Sequence, residues 1–66
     1  MRRTTFRVPD MDCPEESRPI ERRLRATAGV EDLAFNLVAG TVTVAHRAPV
    51  QAIVEAIREA GFEAHP

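Results

Sequence analysis

The order in which apolar residues change their spacing narrows the fold of this chain more than any single motif. Thr4–Val8 alternates, with Phe6 and Val8 on one face, and predicts a strand stopped by Pro9. From about Glu15 the spacing becomes Ile20, Leu24 and Ala28, one helical stripe, with Gly29 as its C-terminal cap. Pro19 leaves two starts open for this helix. A start near Pro14 puts Pro19 beyond the first turn, where it bends the helix; a start with Ser17 as N-cap makes Pro19 harmless. Leu33, Phe35 and Leu37 alternate again, and Val42 and Val44 follow a turn around Ala39-Gly40-Thr41, which reads as a hairpin. Pro49 then opens a second helix with Val50, Ile53, Val54, Ile57 and Ala60 on one broad face. Gly61 ends it, and Phe62–Ala64 predicts a short closing strand. The order is β-α-β-β-α-β. Both helices are expected on the same face of a four-stranded antiparallel sheet, an α+β, ferredoxin-like arrangement forming one domain over residues 1–66.

Composition removes several function classes. The formal net charge is -1, there is no Trp or Tyr, and only 3 Phe are available to stack on bases, so a nucleic-acid partner is not expected. The basic cluster Arg18, Arg22, Arg23 and Arg25 reads as a solvated helix face. One cysteine cannot form an internal disulfide, and no stretch is apolar enough to insert in or span a bilayer. A cytoplasmic module is expected, free-standing or the cytosolic part of a membrane transporter. Phosphate-handling enzymes on this fold need a glycine-bearing loop with an arginine after the first strand. The corresponding loop here is acidic and lacks glycine, so no enzyme is expected.

That loop, MDCPEES from Met11 to Ser17, gathers the only thiol with three carboxylates. Acidic residues near a helix N-terminus complement its dipole, and Pro14 suits a first helical position. The alternative is a metal site with one soft ligand and several hard ones. In the expected topology the loop lies at the same end as Gly61-Phe62, which gives it an apolar neighbour. His46 falls at the other end, and His65 lies roughly 10 Å along the last strand from Phe62 at strand rise. Both histidines read as surface residues and not as ligands.

With these residues in place the chain resembles the heavy-metal-associated domains, which occur as metallochaperones and as N-terminal modules of metal-transporting P-type ATPases. Met11-Asp12-Cys13 is followed in register by Ile20-Glu21, Leu24 and Gly29-Val30. Further on, Asn36-Leu37, Gly40, Val42, Val44 and Ala60-Gly61-Phe62-Glu63-Ala64 also fit the pattern. The departure is Glu16, which stands where the family has its second cysteine. Asp12 before Cys13 resembles the aspartate of zinc and cadmium ATPase modules, and Cys-x-x-Glu is similar to the pattern of plant zinc-transporting ATPases. The resemblance therefore implies a site made of Asp12, Cys13 and Glu16, with Met11 packed beneath the loop and Phe62 covering it. Thiolate with carboxylate suits Zn(II) first, with Cd(II) and Pb(II) next, and disfavours Cu(I), which prefers paired thiolates. The implied partners are the divalent ion and the membrane or cytosolic domains of a metal-efflux P-type ATPase. The implied state is a monomer, with a metal-bridged dimer as a second form. Three other readings stay open at this point: a degenerate module that binds proteins without metal, a stand-alone metallochaperone, and, ranked last, a thiol-reactive module. Participation of Glu15 or His65 in the site also stays open.

Overall fold

The computed structural model describes residues 2–11 and 14–66. The strand β1 spans Arg2–Arg7, the helix α1 Pro14–Arg25, β2 Val30–Asn36, β3 Thr41–His46 and α2 Val50–Glu59. The sheet order is β1-β3-β2, with both pairings antiparallel. Side chains alternate across this sheet. Phe6, Val42 and Val44 face the helices and are buried, whereas Thr5 and Thr43 lie on the other face, where their hydroxyls meet at 3.0 Å. Ile20 and Leu24 of α1 and Ile53, Ala56 and Ile57 of α2 close the same core, so both helices cover one face of the sheet, as expected.

Among the described residues the fourth strand is not formed, and one residue pair, Arg7 with His65, extends the sheet beyond β1, through Arg7 N–H to His65 O at 2.7 Å and His65 N–H to Arg7 O at 2.9 Å. Phe62–Ala64, expected to be the strand, is instead spent on the crossing from α2 to the sheet edge. Toward α2 the next hydrogen-bonded pair of such a ladder would set Glu63 opposite Pro9, which has no N–H to give. Among the described residues the sheet therefore has three strands and a single bridging residue, where four strands were expected.

Helix α1 takes the earlier of its two starts and ends sooner than its apolar stripe suggested. The helix stops at Arg25, and Ala28 lies outside it and exposed. Thr27 causes the stop: its hydroxyl donates to Arg23 O at 2.8 Å, and its N–H turns to Leu24 O at 3.0 Å. Gly29 is thus not the helix cap but the hinge into β2. Its φ is +90°, and a Cβ there would stand 2.8 Å from Ala48 N. Between Val30 and Leu33 the register slips, with Val30 opposite His46 and Asp32 opposite Ala45, so Glu31 forms a bulge. The bulge lets Val30 and Leu33, three apart in sequence, both pack on the core.

Helix α2 follows its pattern closely. Pro49 occupies the N-cap, and Ala52 N–H donates to Pro49 O at 3.0 Å. At the far end Gly61, at φ +97°, sends its N–H to Arg58 O at 2.9 Å while Phe62 N–H reaches Ile57 O at 3.3 Å. This glycine closure folds Phe62 back against the core cluster.

His46 departs from its expected place on the surface. It continues the inward alternation of Val42 and Val44 and is fully buried. Nδ1 lies 2.6 Å from Ala48 O, and Nε2 lies 2.8 Å from the Thr4 hydroxyl. A carbonyl only accepts, so Nδ1 carries the proton, and in the neutral ring the Thr4 hydroxyl donates to Nε2. The ring thereby ties β1, β3 and the turn into α2 together at one end of the molecule.

Two stability outcomes follow. Gly29→Ala combines a left-handed backbone with a collision against the Ala48 backbone and should cost about 2 kcal/mol, read as a lowered urea midpoint. Thr4→Val keeps the shape but strands Nε2 of His46, with an expected loss of about 1–2 kcal/mol in the same measurement. An unchanged midpoint for Thr4→Val would mean that another donor reaches the ring.

Candidate metal centre

The candidate site sits on the connection from β1 to α1, and its roots are firmly held. After β1, Val8 is buried and its N–H donates to Gly40 O at 2.7 Å. A tight turn through Pro9 and Asp10 brings Met11 N–H to Val8 O at 3.0 Å and plants the Met11 side chain in the core at 1% exposure. Met11 is therefore packing material, as expected, and not a thioether donor facing solvent. On the other side of the loop, Ile20 fixes α1 to the same core.

Of the three proposed ligands, Asp12 and Cys13 lie outside the described residues. Glu16 is the third residue of α1, half-buried and engaged with a partner, in a first turn that also carries Glu15. Glu15 is exposed, so the two neighbouring carboxylates occupy different surroundings. Acidic residues on this turn face the positive end of the helix dipole. The described residues alone bring no group of three His, Cys, Asp or Glu side chains into a ligand arrangement. His46 is committed to Thr4 and Ala48, while His65 is exposed and joined to Arg7 through its backbone. Phe62 is half-buried against the core cluster that includes Met11. The described helices include none long and apolar enough to cross a membrane.

One neighbour of the loop escaped the sequence reading. The bond from Val8 to Gly40 brings the β2–β3 turn to the end of the molecule where the loop begins. That turn is shaped by Asn36, whose Oδ1 accepts from Ala39 N–H at 3.1 Å, and Val38 stands fully exposed on it. The only signal was the strand order itself, which sends β2 in the same direction as β1. The arginines of α1 behave as expected: Arg18, Arg22, Arg23 and Arg25 are exposed, with Arg25 on Glu21 at 3.0 Å and Arg23 on Glu59 of α2 at 3.7 Å.

The fold and this loop can be set beside known proteins. No curated protein matches the chain. Among solved structures, a copper binding domain from HMA7, a P-type ATPase, is 29% identical with a TM-score of 0.92, covering 98% of this chain and 92% of that one. The yeast copper transporter domain CCC2A, studied in apo and Cu(I) states, is 27% identical with a TM-score of 0.88, covering 98% and 93%. The Cu(I)-loaded first domain of the human copper chaperone for SOD1 is 25% identical with a TM-score of 0.86, covering 96% and 87%.

These neighbours correct the expected metal. Zn(II) was ranked first and Cu(I) disfavoured because one thiolate is missing, yet the similar domains are described as copper binding or Cu(I)-loaded. Losing a thiolate weakens a Cu(I) site, but it does not by itself turn the same scaffold against Cu(I). The ranking is therefore not retained. The heavy-metal-associated domain model matches residues 5–63, from within β1 to beyond α2, and the chain belongs to that family of small metal-binding modules, which are not enzymes.

Proposed function

We propose that the chain is a single module, residues 1–66, that takes a soft or borderline metal ion at the β1–α1 loop and serves a metal-transporting P-type ATPase from the cytoplasmic side. The observation that carries this reading is the family match across residues 5–63, loop included. The similarity to a P-type ATPase domain supports the partner class. Cys13 supplies the thiolate, and Asp12 and Glu16 supply carboxylate oxygens. The buried Met11 and Ile20 support the reading by giving the loop two rigid roots. Cu(I) belongs among the cargo ions on the strength of the similar domains. Cd(II), Pb(II) and Zn(II) belong there because each accepts oxygen beside sulfur. A stand-alone metallochaperone is the second reading, favoured by the similarity to the copper chaperone domain. Both readings use the same loop chemistry: an open site with a mixed donor set exchanges its ion with a partner that completes the coordination.

The test is competitive titration of the reduced protein with Cu(I), Zn(II), Cd(II) and Pb(II) against chelators, followed by amide NMR. Cys13→Ser should lower affinity for the preferred ion by about 100-fold and Glu16→Ala by about tenfold. Affinity should also fall as pH is lowered, because a proton competes for the thiolate. A Glu16→Ala variant that binds like the parent would reduce Glu16 to a helix-start residue. Failure to bind any of the four ions would sink the proposal.

A further inference from the structure

The sheet has two outer edges, and they are built differently. On β2 the edge is broken by the bulge at Glu31 and carries the carboxylates of Glu31 and Asp32, devices that keep a further strand from pairing. β1 has no such break, and its residues pair with β3 in an unshifted register. Arg7 turns its N–H and carbonyl outward, to His65. Alternate residues of an antiparallel strand point the same way, so Thr5 and Arg3 also aim their N–H and carbonyl groups outward, while Thr4 and Phe6 serve the ladder to β3. Among the described residues no backbone group pairs with the outward groups of Thr5 and Arg3. The side chains along this edge are basic. Thr5 lies on the sheet face that the helices leave open, its hydroxyl on that of Thr43, so Arg3 and Arg7 share that face, and His65 joins them as the partner of Arg7. All three are exposed, and no ion pair among the described residues uses Arg3 or Arg7. Asp32, on the same face, stands two strands away beyond Ala45.

We propose that the outer edge of β1 is a strand-addition site for an extended acidic segment of another protein, one with carboxylates at every second residue. The backbone of the segment pairs with Arg3 and Thr5, in line with the bridge between Arg7 and His65. Its residues opposite Arg3 and Thr5 fall on the open face. A carboxylate opposite Arg3 meets that guanidinium directly, and one opposite Thr5 stands diagonally between Arg3 and Arg7. The residue between these two lies opposite Thr4 and turns to the helix side, where Thr4 is half-buried and an apolar side chain is suited. A second copy of this chain fits less well, because antiparallel pairing of β1 with β1 gathers the arginines of both copies. Charged edge residues also deter unwanted pairing, but a deterrent of one sign excludes only partners of that sign. The site is separate from the metal loop and needs no ion.

The probe is a short blocked peptide of alternating glutamate and valine, added to the reduced, metal-free protein and followed by amide NMR and hydrogen exchange. Without peptide, the Arg3 and Thr5 amides should exchange at least about tenfold faster than those of Thr4 and Phe6, and the peptide should slow them by about tenfold or more. Methylating the glutamate nitrogens of the peptide removes its ladder donors and keeps its charge. That change, and separately Arg3→Glu in the protein, should each lower affinity by about tenfold. A peptide with lysine in place of glutamate should not bind. Binding that leaves the Arg3 and Thr5 amides fast, or that survives methylation unchanged, would reduce the effect to attraction by arginines and overturn strand addition. Equal binding of the lysine peptide, or by Arg3→Glu, would overturn the acidic preference. Arg3 and Thr5 amides as slow as that of Thr4 before any peptide is added would show an edge already covered, by a second copy where protection rises with protein concentration, and the proposal would fall. It falls as well if the glutamate peptide does not bind.

Discussion

Val42 and Val44, on the central strand β3, are the side chains toward which the other elements pack. Phe6 stands beside them from β1, Leu33 and Phe35 from β2, and Ile20, Leu24, Ile53 and Ile57 close over them from the two helices. A chain this short has no second core to fall back on, and no disulfide to replace one. The remaining features serve to keep this layer continuous. The bulge at Glu31 turns both Val30 and Leu33 inward, and the left-handed Gly29 brings the backbone close against Ala48. The glycine closure after α2 returns Phe62 to the edge of the core. The loop expected to hold metal is suspended between two residues of this layer, Met11 and Ile20.

Elements whose apolar period agreed with their punctuation were legible in advance. Pro49, the stripe from Val50 to Ala60, and Gly61 mark α2 almost to the residue, and the hairpin around Gly40 was equally plain. Local chemistry prevailed where the period misled. Ala28 extends the α1 stripe, but the Thr27 hydroxyl takes the Arg23 carbonyl and ends the helix first. His46 continues the inward alternation of β3, yet a polar side chain at a strand end reads as exposed unless its partners are known. Those partners are a threonine 42 residues earlier in the chain and the carbonyl of Ala48. The closing strand was misjudged for a geometric reason. The apolar residues Phe62 and Ala64 are spent reaching the sheet, and pairing begins only at His65.

The candidate site was legible as chemistry more than as geometry. A lone thiol among carboxylates, in register with a family signature, singles out the loop, and the burial of Met11 agrees with its expected role beneath it. Choosing the ion asked more of the donor set than it holds. Hard and soft preferences order ions within a given ligand shell, whereas the similar domains show which ions proteins of this fold carry. The proximity of the β2–β3 turn to the loop depends on a bond between residues 8 and 40, which no local pattern announces.

The locked imidazole of His46 bears on how cleanly metal traffic through this module can be counted. Both of its nitrogens are occupied inside the fold, so it offers no nitrogen donor to a stray ion while the protein is folded. His65 is the other imidazole in the chain, and the chain has one thiol. Stoichiometry measured on the intact fold thus reports the loop with few competitors, whereas unfolding releases a second imidazole. Excess metal would then favour the open chain at His46 even as it favours the closed one at the loop. A domain of this size gains from keeping that histidine out of reach.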